Sequence, residues 1–193
     1  AKTYYTGFEL KFAIRDNKEV REFNDPNNII VLDKRDKNFN SYTIREGLKN
    51  IHKIFTDGCY LQNKNIGGYV ALIQNLNGLY NLKWGRAEGS HSSTLIELMA
   101  VIKGLEYLED LKKVRIITDS RYVIKGLTEW TINWKLNNWY TVQGKKVKNI
   151  EYWQKYDKIT DGKYIEFQWV KAHSFHFENT ICDKYAKEIA NKH

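Results

Sequence analysis

The period of the hydrophobic residues changes once along this chain, and that change restricts the fold more than any other feature. From His52 to Arg86 the apolar residues form short runs separated by turn chemistry. Ile54 to Tyr60 suits a strand. Gly67-Gly68 marks the bend into a second strand, Tyr69 to Gln74. Asn75-Leu76-Asn77-Gly78 is a turn, and Leu79 to Arg86 returns as a third strand. Beyond it, Leu95, Leu98, Met99, Ile102, Leu105 and Leu108 follow helical spacing, with Ser92 or Ser93 available as the cap. Val114 to Thr118 reads as a short apolar strand, and a helix follows from Ser120. Asn149 to Ile159 reads as a helix, Tyr164 to Val170 as a fifth strand, and Glu178 to Lys192 as a closing helix. Three hairpin-like strands followed by alternating helices and strands predict an α/β fold: a mixed five-stranded sheet with helices on its faces.

The first fifty residues follow a different pattern. The chain's only proline, Pro26, lies in Asn24-Asp25-Pro26-Asn27-Asn28, the strongest break in the sequence. Phe8 to Phe23 reads as two strands around Asp16-Asn17, Ile29-Ile30-Val31-Leu32 as one more, and Ser41 caps a short helix to Leu48. Residues 1–49 are expected to form a small β-rich appendage and residues 50–193 the main domain. Basic residues interleaved with aromatics there suit either nucleic-acid binding or a small core. No apolar run has the length of a membrane span, and the start lacks the apolar core of a signal peptide. The expected setting is the cytoplasm, where Cys59 and Cys182, the only cysteines, stay reduced and act as small buried filler.

Four stretches each deliver one carboxylate: Asp57 in Ile54–Cys59, Glu97 in Ile96–Ala100, Asp119 in Ile116–Ser120 and Asp183 in Asn179–Asp183. Taken singly, each acid reads as a surface charge or a cap. Four in order, each inside an apolar stretch, point to a shared site. Acids gathered in one place need a cation between them, and oxygen-only ligands suit hard divalent ions such as Mg²⁺. Two cysteines with no nearby ligand cluster argue against zinc. The formal net charge of +8 favours a polyanionic partner. These features together describe a metal-dependent enzyme that cuts nucleic acid.

At these residues the chain resembles a type 1 ribonuclease H. The motifs are Phe55–Gly58, Ile96–Ala100, Thr118–Val123 and Trp169–Asn179, with Cys182-Asp183 beyond, in the family's order and approximate spacing. Trp130–Trp139 and Gly144–Asn149 resemble the basic handle of bacterial members that grip the hybrid. The resemblance implies a monomeric endonuclease that hydrolyses the RNA strand of RNA/DNA hybrids, giving 5′-phosphate and 3′-hydroxyl ends. It implies two Mg²⁺ ions, replaceable by Mn²⁺, held by Asp57, Glu97, Asp119 and Asp183. Asp57 would bridge both ions, Asp183 would join it on the water side, and Glu97 and Asp119 would serve the leaving-group side. His173 would assist proton transfer or product release without acting as a ligand. Asn63 matches a residue that reads the minor groove, Asn149 one that holds a DNA-strand phosphate, and Trp134 one placed against DNA sugars. Lys135, Lys145, Lys146 and Lys148 would add phosphate contacts.

The chain departs from the family at Ser92-Ser93-Thr94, where Thr-Asn-Asn is usual, and at Arg121, where Asn or Gln is usual. The loop Gln62–Ile66 lacks prolines, and Thr180 stands where Glu is common. These departures touch substrate contacts and leave the acids intact. Taken apart from the resemblance, Trp130, Trp134 and Trp139 equally suit helical core packing, the lysines a solvated face, and His173 and His176 structural loop positions. Two other readings stand beside the endonuclease: a ribonuclease H domain of a reverse transcriptase, and a hybrid-binding module without activity. A 3′–5′ exonuclease would place Asp-x-Glu on the first strand, and Cys59 occupies that Glu position.

Overall fold

The computed structural model of the protein describes residues 29–32, 48, 50–89, 91–170 and 177–192. Its strands are β1 (Ile29–Leu32), β2 (His52–Leu61), β3 (Ile66–Gln74), β4 (Tyr80–Glu88), β5 (Lys113–Thr118) and β6 (Tyr164–Trp169). Its helices are α1 (Ser93–Tyr107), α2 (Arg121–Lys125), α3 (Thr131–Leu136), α4 (Ile150–Ile159) and α5 (Phe177–Asn191), with a π-helical turn, Gly126–Trp130, between α2 and α3. The strands form one sheet in the order β1-β6-β5-β2-β3-β4. β2, β3 and β4 make an antiparallel meander, β5 runs parallel to β2 and to β6, and β1 pairs antiparallel with β6. The mixed five-stranded sheet expected from the hydrophobic pattern is present. Ile29–Leu32 adds a further strand on the outer edge of β6. The expected hairpin over Phe8–Phe23, the break at Asn24–Asn28 and the helix from Ser41 lie outside the described residues, apart from Leu48 at the end of that helix.

Alternation along the strands sends neighbouring side chains to opposite faces. Ile54 on β2 and Ile116 on β5 bury into one layer beneath α1, α2 and α4, where Leu98, Val101, Leu105, Trp153 and Tyr156 meet them. Phe55 and Ile117, one residue further along, bury into the other layer beneath α5 with Val70, Leu72, Cys182, Tyr185 and Ile189. Truncating one of these fully buried leucines to alanine would cost about 2–5 kcal/mol. Helix starts are fixed by hydroxyls: Leu95 N–H donates to Ser92 Oγ at 3.1 Å, and Val123 N–H to Ser120 Oγ at 3.2 Å. The first turn of α5 is pinned to the sheet, where Tyr80 Oη donates to Glu178 Oε1 at 2.7 Å. Gly68 allows α5 to lie close on β3, since a Cβ there would fall 2.7 Å from the Ala190 nitrogen. Among the described residues no helix is long and apolar enough to cross a membrane.

One buried ion pair ties residue 48 to the sheet. Arg115 Nε donates to Glu166 Oε2 at 2.8 Å. Glu166 Oε1 accepts from Leu48 N–H and from Tyr164 Oη, each at 2.9 Å, and Arg115 Nη2 donates to the Leu48 carbonyl. Both charges are therefore hydrogen-bonded in the interior, and removing one partner would strand the other. A chain beginning at Lys49 is expected to fold cooperatively and to melt below the full chain. It loses the β1 pairing and two charge-assisted bonds to Leu48, each worth about 1.5–3 kcal/mol. Thermal unfolding of both chains checks this, and equal melting temperatures would contradict it.

Candidate active site

β2 carries the first acid. It pairs with β5 only from His52 to Phe55 and with β3 from Lys53 to Leu61. Asp57 thus lies just past the point where β2 and β5 part, a position where α/β sheets open into a crevice. Asp57 is buried, and Gly58 N–H donates to its Oδ1 at 2.9 Å. Gly58 also sets the distance to the second acid. A Cβ there would lie 2.8 Å from Ile96 Cγ2 and 3.2 Å from the Glu97 nitrogen, so glycine lets the start of α1 press against β2. Asp119 follows the last residue of β5, and its carbonyl accepts the Trp169 indole N–H at 3.0 Å.

The carboxylates of Asp57, Glu97 and Asp119 each present an oxygen within 4.8 Å of the others. Glu97 Oε2 is buried without a hydrogen-bond partner. A buried carboxylate oxygen without a partner, on one of three acids drawn this close, is the environment that a hard divalent cation satisfies. The donor set is oxygen only, which suits Mg²⁺ or Mn²⁺.

The electrostatics carry the same imprint. Burial pushes Asp57 up from 3.8 to about 7, with the Asp119 charge next and Asp183 adding less, against hydrogen bonds from Glu97 and the Gly58 amide. Burial also holds Glu97 well above the usual carboxylate range, followed by the charges of Asp57 and Asp119. The interaction between these two carboxyls lowers Asp57 and raises Glu97, and burial, the largest cause for both, pushes each towards its protonated form.

Asp183 on α5 stands apart from the cluster. It is near enough for its charge to raise Asp57, yet its Oδ2 accepts from Lys187 Nζ at 2.9 Å. Three of the four expected acids therefore converge, and the fourth turns to a lysine one helical turn away. His173 lies outside the described residues.

The expected substrate contacts divide into three groups. Asn63 is exposed in the turn from β2 to β3, at the end of β2 beyond Asp57. Trp134 on α3 is half-buried, edge-on to Trp153 at 5.3 Å and tilted against Trp130 at 6.2 Å, so it is partly core. Lys135 Nζ donates to Asp157 Oδ2 at 2.9 Å, which engages this ammonium within the fold. Lys145, Lys146 and Lys148 are exposed on the turn after α3, which closes through a bridge between Tyr140 and Lys146. Asn149 starts α4 in the left-handed region, with φ of 58°, which asparagine tolerates better than most residues.

Tyr60 is a positioning residue that the strand pattern does not reveal. Its hydroxyl donates to Asn65 Oδ1 at 3.0 Å, also reaches the Gly89 carbonyl at 3.1 Å, and accepts from His91 N–H at 3.0 Å. It thereby ties the β2–β3 turn to the segment entering α1, the helix of Glu97. A tyrosine in an alternating strand carries no signal of this role.

Comparison with known proteins places these features in a family. The ribonuclease H family model matches residues 49–191. Ribonuclease HI of Haemophilus ducreyi is 40% identical over 141 residues, covering 72% of this chain and 89% of that protein. Ribonuclease HI of Vibrio cholerae is 38% identical over 138 residues, covering 72% and 87%. Among solved structures, LC9-RNase H1, a type 1 RNase H with the type 2 active-site motif, superposes with a TM-score of 0.62 at 22% identity, covering 76% of this chain and 74% of that one. A foamy viral protease-reverse transcriptase in complex with double-stranded DNA gives 0.63 at 21%, covering 74% and 96%. At those identities the structures show a shared fold.

Asp57 and Glu97 hold protons in the folded chain at pH values where the unfolded chain has released them. Without a divalent ion the fold therefore loses stability as pH rises from the ordinary 3.8 through about 7. Asp57→Asn removes part of this loss. In chelator at neutral pH the variant is expected to melt above the parent, with the difference shrinking as pH falls towards 4. Thermal melts across that range check it, and a variant less stable than the parent at pH 7 would contradict the assignment.

Proposed function

The chain belongs to the ribonuclease H family, and from that membership we propose that it hydrolyses the RNA strand of RNA/DNA hybrids, leaving 5′-phosphate and 3′-hydroxyl ends. The observation that carries this reading is the convergence of Asp57, Glu97 and Asp119 to within 4.8 Å, with one Glu97 carboxylate oxygen buried and unpartnered. Two Mg²⁺ ions, replaceable by Mn²⁺, are the proposed cofactors. Asp57 would hold both, Asp183 would join it on the water side, and Glu97 and Asp119 would serve the leaving-group side. When bound, such ions activate the attacking water and neutralise charge on the phosphate and the departing 3′ oxygen.

The chain's own residues prepare that chemistry. Burial pushes Glu97 and Asp57 towards their protonated forms, which limits the repulsion within the cluster, and cations held there would displace protons from it. Selection of RNA rests on the 2′-hydroxyl, which Asn63 would read in the minor groove. Trp134 would lie against DNA sugars and Asn149 against a DNA-strand phosphate. Lys145, Lys146 and Lys148, exposed together on one turn, would contact further phosphates. Lys135 would join them only by leaving Asp157. His173 would assist proton transfer or product release. The catalytic unit is residues 50–193, with residues 1–49 an appendage that lends β1 to the sheet edge, and the protein acts as a monomer.

End-labelled RNA/DNA, RNA/RNA and DNA/DNA duplexes, each with Mg²⁺ or EDTA, test this. The expected result is internal cutting of RNA in the hybrid, with Mg²⁺ only. Cleavage persisting in EDTA, or equal cutting of DNA/DNA, would overturn the reading. Asp57→Asn is expected to abolish turnover while hybrid binding remains, and His173→Ala to slow turnover without abolishing it. Neutralising Lys145, Lys146 and Lys148 together is expected to flatten the salt dependence of hybrid binding. The log–log slope should fall by about 0.9 for each phosphate that these lysines no longer neutralise. Anisotropy titrations over a range of salt measure the slope; an unchanged slope assigns these lysines to a solvated face.

A further inference from the structure

Lys187 lies one helical turn beyond Asp183 on α5, and its ammonium meets Asp183 Oδ2 at 2.9 Å. Exposed pairs at this spacing usually contribute little to stability. Its surroundings are more informative. The Lys187 charge is felt at Cys59, and Asp57 acts on Lys187 in turn. Asp183 acts on Asp57. The ammonium therefore stands at the rim of the acid cluster, and the one expected ligand missing from that cluster is the acid it holds.

We propose that Lys187 is a tethered cation that engages Asp183 when no divalent ion is bound. It competes with the ion for that carboxylate and so sets the ion concentration at which the site fills. This rests on the two-ion reading of the four acids. A carboxylate oxygen already in a charge-assisted hydrogen bond is a poorer ligand, and two cations sharing one acid repel. Lysine suits the task because its ammonium is a point charge on a flexible stem, whereas arginine grips carboxylates with a bidentate fork. The Lys187 side chain is 54% exposed, so the displaced ammonium returns to water without rearranging the core. Lys187 is a positioning residue: it acts on the reaction through Asp183. By linkage, ion and ammonium weaken each other's hold on Asp183 by the same factor.

Calorimetric titration of Mn²⁺ into the full chain, without nucleic acid, tests this. Lys187→Gln is expected to bind the ion roughly threefold more tightly, or better, at low ionic strength, with the gain shrinking as salt screens the charges. Lys187→Arg is expected to show no gain. In an Asp183→Asn background the gain from Lys187→Gln is expected to diminish, because the shared carboxylate is no longer charged. Unchanged or weaker binding in Lys187→Gln overturns the proposal. So does an equal gain in both backgrounds, since the lysine would then act by general repulsion. A wild-type chain that binds the hybrid yet takes up no divalent ion overturns the two-ion reading, and the proposal with it.

Discussion

Three carboxylates held within 4.8 Å of one another, largely out of water, repel, and the architecture around them is arranged to withstand that repulsion. The acids come from different elements, so none can relax without moving a packed neighbour. Asp57 rides on a strand paired with β3 from Lys53 to Leu61. Glu97 belongs to a helix pressed onto β2 through Gly58 and anchored beneath by Leu98, Val101 and Leu105. Asp119 directly follows the buried end of β5, its carbonyl fastened by the Trp169 indole. Two apolar layers on opposite faces of the sheet supply the stability that the acid cluster gives up.

The sheet and the acids were legible because each left a local signal. Alternation over β2, β3 and β4 and the helical period from Leu95 follow from which faces the core must cover, and the boundaries fall within a few residues of those expected. Asp57, Glu97 and Asp119 stood out because acids inside apolar stretches need a reason. Their convergence follows once a parallel strand must lie beside β2. The π-helical turn between α2 and α3 was not legible. It arises where the Trp153 ring packs against Gly126, and Thr131 Oγ1 reaches back to the Gly126 carbonyl at 2.5 Å.

Features that depend on pairs distant in sequence were hidden. Ile29–Leu32 reads as a strand, yet nothing local says that it pairs with β6, more than a hundred residues away. The Arg115–Glu166 pair looks in sequence like two surface charges on strands, and only folding brings Leu48 to it. Lys135 resembles its basic neighbours in sequence, yet Asp157 on α4 claims its ammonium. Side-chain choices among several partners, such as Asp183 turning to Lys187, are decided by small differences in local field that no sequence period encodes.

Burial pushes Asp57 and Glu97 towards their protonated forms, so a divalent cation held by them would displace protons, and proton release on ion binding measures this most directly. Mg²⁺ titrated calorimetrically near pH 7 in several buffers of different ionisation enthalpy should release protons from the protein, and the release should fall in Asp57→Asn. Binding heats that are the same in every buffer would mean that the acids are already ionised before the ion binds, and would contradict the upward push on Asp57 and Glu97.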